Sequence, residues 1–329
     1  MTLKMLTLSF SILSIFFWFS QTEADILFEE KFEDDNFASR GWYDGTGGTL
    51  SDIEHLPGSN FSFECKYQKG DTGCKGGNPG RRLFEETEIV YLTYFVKYSK
   101  NWEGSNRPYH PHEFYFTTNK DGKYVGPAKS RLTTYVEQNE GTPRIAIQDS
   151  LNVDENCIKK NNNDIVGCNG NFDSYNFTES RSVASCNGLI GDLDERDCYN
   201  TGSYWYSSRG WSAKETYFRD NPGKYYKNDW HCIEVMFNMN SIQKGVGMPD
   251  GKIRLWFDEE LIISYDNILL KTGEFPDMKF SQFLILPYIG PGSPVEQTMW
   301  IDNLTISTHR LNKEVNDKPL PPVNLRIIN

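Results

Sequence analysis

Hydrophobic and polar positions alternate most clearly over residues 230–260, WHCIEVMFNMNSIQKGVGMPDGKIRLWFDEE. Ile233, Val235 and Phe237 alternate with Cys232, Glu234, Met236 and Asn238. That period of two belongs to a strand with one buried face. Gly245, Gly247, Pro249, Asp250 and Gly251 then punctuate the chain. The alternation resumes with Ile253, Leu255 and Phe257 against Arg254, Trp256 and Asp258. Two half-buried strands joined in this way predict a hairpin or meander, the building unit of an antiparallel sandwich.

The same period recurs elsewhere. It predicts strands over 26–33, 61–67, 88–98, 144–148, 262–265, 280–287 and 300–307, with loops over 34–51 and 66–82. Two further strands carry the candidate chemistry. In HEFYFTT, 112–118, Phe114 and Phe116 are expected to face the core, leaving Glu113, Tyr115 and Thr117 outward. In RLTTYVE, 131–137, Leu132, Thr134 and Val136 face inward, leaving Arg131, Thr133, Tyr135 and Glu137 outward. No helical period outlasts a turn or two, and no internal repeat is visible. The fold class is therefore all-β.

Residues 151–208 interrupt the pattern with Asn, Asp, Gly, Ser and Cys. A stretch of that length without a period is expected to be a functional or stapled insertion. The ends also differ from the body. Lys4 precedes an apolar run over 5–19, and Thr22-Glu23-Ala24 ends in a small residue. This is the pattern of a secretory signal peptide over 1–24, and the apolar run is shorter than the ~20 residues a membrane span needs. The body is expected over 25–310, and a Pro-containing tail over 311–329.

The net charge of −11 makes nucleic acid and anionic lipid poor partners, and an acidic polysaccharide would need basic residues gathered in a groove. Aromatics make up 14% of the chain, which suits β-rich proteins and sugar-binding surfaces alike. All seven cysteines follow the leader, which implies an oxidising compartment, secreted or periplasmic. Cys65 and Cys74 are close enough to staple a loop. Cys157, Cys168, Cys186 and Cys198 are expected to pair within the insertion, leaving Cys232 as a half-buried thiol. No basic cluster adjoins Cys232, and no zinc-ligand spacing appears, so neither a catalytic thiol nor a zinc site is indicated.

Trp230, His231, Ile233 and Glu234, then Asp250, Gly251, Arg254, Leu255, Trp256 and Asp258, form a recognisable set. Gln282, Phe283, Pro287, Tyr288, Gly290, Gly292 and Ser293, followed by Trp300, Asp302 and Asn303, complete it. The set resembles secreted jelly-roll proteins of the concanavalin A-like lectin/glucanase superfamily, and within it bacterial proteins related to polysaccharide lyases. The likeness covers the C-terminal third well, residues 26–150 loosely, and the Cys-rich insertion not at all. It implies an antiparallel jelly-roll sandwich of two curved sheets, with first and last strands adjacent and one sheet forming a groove.

Cleavage of a uronate polymer by a lyase needs a group that neutralises the carboxylate, a base for the C5 proton and an acid for the leaving oxygen. Arg131 is the candidate to face the carboxylate. Tyr135 or Tyr115 is the candidate acid or base, and His112 or His110 the candidate base. Glu113, Glu137, Trp102 and Tyr109 are the candidate sugar contacts. The competing reading is cross-strand packing of outward Tyr and Arg side chains. A Gln-Ile-His strand and an Arg-x-Glu-Leu-Arg strand, which characterised alginate lyases of this fold carry, are absent, which argues against alginate as the specific substrate. His231 shares its face with Ile233 and Val235 and is expected to be a satisfied sheet-end histidine.

A retaining glucanase would need paired carboxylates on one strand, ~5 Å apart, and no such strand is present. The acidic run 191–197, GDLDERD, lacks the spacing of a calcium loop and reads as a solvated loop. No cofactor is expected, with a structural calcium ion as the alternative. The rival function is a non-catalytic carbohydrate-binding or adhesion module that stacks sugars on Trp102, Tyr109, Trp205, Tyr206 and Trp211.

Overall fold

The computed structural model describes residues 25–107, 111–118, 132–149, 185–186, 205–206 and 208–311. The strands in chain order begin with β1 (Ile26–Glu30), β2 (Trp42–Tyr43), β3 (Thr49–Ser51), β4 (Ser62–Tyr67), β5 (Gly80–Thr87) and β6 (Ile89–Tyr98). Next come β7 (His112–Thr118), β8 (Leu132–Asn139), β9 (Thr142–Asp149), β10 (Ser185–Cys186), β11 (Trp205–Tyr206) and β12 (Ser208–Ser212). The series ends with β13 (His231–Asn238), β14 (Ile242–Gln243), β15 (Val246–Gly247), β16 (Gly251–Phe257), β17 (Glu260–Ile268), β18 (Phe280–Tyr288) and β19 (Gln297–Ser307).

These strands form a jelly-roll sandwich. The first sheet runs β17-β16-β13-β6-β19-β4-β3, with β1 also paired to β19. The second runs β12-β9-β8-β7-β18-β5-β2. The expected hairpin is present as β13 against β16, with Val235 opposite Leu255 and Phe237 opposite Ile253. The first and last long segments are neighbours, as Glu30 lies opposite Leu304.

The core fills the space between the sheets with aromatic rings. Tyr94 of β6 meets Phe114 of β7 at 4.4 Å between ring centroids, and Phe116 of β7 meets Phe237 of β13 at 5.9 Å. Phe283 of β18 stacks on Phe114 at 6.0 Å. Such rings supply a large apolar area with defined edge and face contacts. The alternation that predicted β16 and β8 matches burial: Ile253, Leu255, Phe257, Leu132, Thr134 and Val136 are all buried.

Three expectations need correction. β13 is buried on both faces, and on its outer side Glu234 is paired with Arg310 at 2.6 and 3.1 Å. The outer residues Cys232 and Met236 are covered with it, so Cys232 is a buried thiol and not a half-buried one. The loop over 34–51 contains a 3-10 turn, Phe37–Arg40, and the short strands β2 and β3. The Cys65–Cys74 disulfide is formed. The leader, the tail beyond 311, the acidic run 191–197 and the pairing of the four cysteines of the insertion lie outside the described residues.

His231 is the satisfied histidine its position implied. Its Nδ1 lies 2.8 Å from Asp258 Oδ2, and its Nε2 lies 2.8 Å from the Tyr226 carbonyl.

Candidate functional site

Strand pairing fixes which outward side chains of the second sheet share a level. Arg81 of β5 lies opposite Leu284 of β18, Leu284 opposite Tyr115 of β7, Tyr115 opposite Tyr135 of β8, and Tyr135 opposite Ala146 of β9. Tyr43 of β2 and Gly210 of β12 extend the row at its two ends. Adjacent strands are spaced ~4.8 Å apart, so this row is a continuous track across the sheet. Ala146 carries little side chain, and the space over Gly210 is taken by the Arg144 guanidinium.

Three rings meet on this track. The His112 ring lies 4.6 Å from Tyr135 and 6.0 Å from Tyr115, and the two tyrosines lie 4.9 Å apart. The Tyr115 hydroxyl donates to the Leu286 carbonyl at 3.2 Å. Of the five candidates for the chemistry, Tyr135, Tyr115 and His112 are therefore together. Arg131 lies outside the described residues, as do His110 and Tyr109.

One level along, His112, Glu137 and Arg144 stand opposite one another on β7, β8 and β9. Glu137 Oε2 meets His112 Nδ1, and Glu137 Oε1 accepts from Arg144 Nη1. The Glu137 side chain has no exposed surface, whereas His112 and Arg144 are each 25% exposed. A carboxylate this covered needs charged or hydrogen-bonding partners, and both of its oxygens have one. Glu137 is thus held by protein groups and does not present its oxygens to a sugar, as the sequence reading had it.

Two candidate sugar contacts are turned away from the surface. A β-bulge between His112 and Phe114 adds a residue to β7, so Glu113 points into the core and not outward. Its Oε1 accepts from the Tyr98 hydroxyl at 2.7 Å. Burial pushes the Glu113 carboxyl up to about 8, against the lowering effect of the Tyr98 hydrogen bond, and the nearby Glu137 charge adds to the rise. Burial and the Glu113 charge raise the Tyr98, Tyr94 and Tyr67 hydroxyls well above their usual range. Trp102 is also buried, packed on Tyr98 at 4.7 Å and Tyr67 at 6.1 Å, so it offers no stacking face.

The opposite half of the track contains residues that the sequence reading does not assign to the site. Gln282 of β18 is fully buried. Its Oε1 accepts from Arg81 Nη1 at 3.2 Å and from Thr117 Oγ1 at 3.1 Å, while its Nε2 donates to the Tyr43 hydroxyl. Arg81 also forms an ion pair with Asp44 at 2.7 Å. Arg144 is likewise outside that reading, although 144–148 is predicted as a strand; placing Arg144 and Ala146 on its outward face finds it. A separate cleft near β3, lined by Glu33, Asp34, Asp35, Thr49, Leu50 and Phe61, holds none of these groups and is negatively charged. Among the described residues, no three His, Cys, Asp or Glu side chains gather to hold a metal ion.

No family model matches the sequence, and a comparison with curated proteins finds no match. Solved structures do match. An alginate lyase from Chlorella virus superposes with a TM-score of 0.50 at 13% identity, covering 88% of this chain and 99% of that one. This chain shares its fold. Looser matches are an alginate lyase from Aplysia kurodai, with a TM-score of 0.48, 12% identity and coverage of 86% and 99%, and an endo-β-1,4-glucuronan lyase from Trichoderma reesei, with a TM-score of 0.42, 12% identity and coverage of 88% and 96%. At 13% identity the alginate lyase match establishes a shared jelly-roll fold, and activity is argued from the site.

Proposed function

We propose that this protein is a secreted polysaccharide lyase that cleaves a uronate-containing glycan by β-elimination on the outward face of the second sheet. The observation that carries the reading is the convergence of His112, Tyr115 and Tyr135 within 4.6–6.0 Å on one track, with Arg144 one level away. These are the residue types the reaction requires.

In the proposed reaction, Arg144 faces the uronate carboxylate and spreads the charge that grows as the C5 proton leaves. His112 or one of the two tyrosines takes that proton. The C5–H electron pair becomes the C4–C5 double bond, and the C4–O bond breaks with its electrons moving to the leaving oxygen. The Tyr135 or Tyr115 hydroxyl protonates that oxygen. No redox partner is needed. Alginate and glucuronan are substrates of the structural relatives just described, and a polymer of that charge class suits the basic groups on the track.

A non-catalytic binding module has less support. Trp102 and Trp211, two aromatics that would serve it, are buried. Among the described residues, the exposed rings near the track are Tyr43 and Tyr288.

The test is absorbance from unsaturated products across a panel of uronate polymers. A rise on at least one polymer, lost in Tyr135→Phe, is the expected result. A flat trace on all of them, with glycan binding retained, would replace the lyase reading with the binding module.

A further inference from the structure

We propose that Glu137 is a positioning residue that locks His112 and Arg144 into one unit, with Gly210 as the gap that lets the unit close. The catalytic part of this inference rests on the lyase reading, and the structural part does not. Three observations carry it. His112, Glu137 and Arg144 are directly opposed on neighbouring strands, so the sheet itself brings them together. Each Glu137 oxygen is taken by one of the two partners, and the side chain is otherwise covered. Finally, a Cβ at Gly210 would lie 2.2 Å from Arg144 Nη2 and 2.5 Å from its Nε. Gly210 shows no left-handed backbone, so it serves here by leaving space for the guanidinium.

The chemistry follows from the partners. A carboxylate acceptor at Nδ1 fixes the imidazole as the Nδ1–H form when neutral, which assigns proton transfer to Nε2. A guanidinium bonded to Glu137 through Nη1 and seated against Gly210 on its Nε–Nη2 side is held in one place, with its charge beside His112. One buried acid thus orients both a proton acceptor and a cation. Among the described residues, the Tyr115 and Tyr135 rings also lie beside His112 and Tyr288 stands opposite it on β18, with Glu113 behind it in the core.

The test uses the full chain in two variants. Nitrogen-15 NMR of the histidine rings reads the tautomer of His112 with no need for turnover. The wild type is expected to hold the Nδ1–H form. Glu137→Gln, whose amide can present either a donor or an acceptor, is expected to lose that preference. On the polymer that the wild type cleaves, Glu137→Gln is expected to lower kcat at least about tenfold with KM changed less than about threefold, as for an orienting group that never touches substrate. An unchanged tautomer, or a loss carried entirely by KM, overturns the proposal.

Should Glu137→Gln fail to fold, Gly210→Ala carries the test from another strand. It is expected to displace Arg144, shifting its Nε–H resonance from the wild-type position and lowering kcat at least about fivefold, within the range for a misplaced catalytic group. Wild-type values for both overturn the proposal. If the wild type cleaves no polymer, the lyase reading fails, and the tautomer and the Arg144 signal still decide whether Glu137 holds the unit.

Discussion

The Tyr98 hydroxyl donates to Glu113 at 2.7 Å inside the core, on the reverse side of the strand that carries His112. Burial raises the Glu113 carboxyl from 4.5 to about 8, so it is largely protonated in the folded protein at neutral pH. Once unfolded it ionises near its ordinary value. The folded state therefore binds the extra proton between about pH 4.5 and 8, and stability falls as pH rises through that window. The full contribution is present below the unfolded value and is gone above the folded one. The shift corresponds to a loss on the order of a few kcal/mol. Denaturant midpoints at pH 5 and pH 9 should therefore differ more for the wild type than for Glu113→Gln, which keeps the acceptor for Tyr98 and has no proton to lose. Equal differences in the two proteins would show that Glu113 is ionised in the fold.

Tyr135 separates packing from chemistry. Its ring touches His112 and Tyr115, and the phenylalanine ring of Tyr135→Phe would keep both contacts. The variant should fold with wild-type stability and lose about a hundredfold or more in turnover if the hydroxyl transfers a proton. Tyr115→Phe, whose hydroxyl is bonded to the Leu286 carbonyl, should lose less. Product absorbance measured beside thermal unfolding distinguishes the cases, and full activity in both variants would leave His112 alone as the proton-transfer group.

The alternating segments made much of this architecture legible. Ile253, Leu255 and Phe257, or Leu132, Thr134 and Val136, declare a buried face by spacing alone, because a strand's side chains alternate strictly. Glu113 was misplaced for the same reason: one extra residue at a bulge reverses the count, and no feature of HEFYFTT marks it. Trp102 was misplaced because an indole in a polar loop gives no sign of whether the loop folds inward. Glu137 was put on the correct face, but its role depends on Arg144, seven residues on and one strand away, a pairing that period-two reasoning within one strand cannot see. Gln282 contributed to the family resemblance, yet its links to Arg81, Thr117 and Tyr43 join four strands that only the folded topology makes neighbours.

Gly80 opens β5 with φ of +85°, and a Cβ there would lie 2.4 Å from the Tyr43 carbonyl oxygen and 2.7 Å from that of Asp44. Both obstacles are backbone, so neither can swing aside. Gly80→Ala should cost roughly 2 kcal/mol or more. Gly70 supplies the control: its φ is +91° but nothing lies within 4 Å of the added carbon, so Gly70→Ala should cost about 1 kcal/mol from backbone strain alone. Urea midpoints compare them. Equal losses would mean that the β2–β5 edge yields easily, and that Arg81 beside it is less firmly placed against Gln282 than the hydrogen bond implies.

The Cys65–Cys74 disulfide closes a short loop, with a sequence separation of 9, and should act on the site as well as on stability. By loop entropy, its removal should cost about 2–3 kcal/mol, with some added loss because Cys65 is buried in the core. The closed loop also reaches the second sheet. Gly73 bridges to Tyr288, the Ile289 amide donates to the Thr72 carbonyl at 2.8 Å, and Tyr288 lies opposite His112 across β18 and β7. Opening the loop therefore frees the end of the strand against which His112 is registered. Cys65→Ala/Cys74→Ala should lower the urea midpoint and, at temperatures where the protein remains folded, also reduce kcat. Hydrogen exchange should show faster opening at Tyr288 and Ile289 with little change at Val235 in the centre of the first sheet. If the midpoint falls while exchange at Tyr288 and turnover stay at wild-type values, the disulfide stabilises the sandwich without supporting the site.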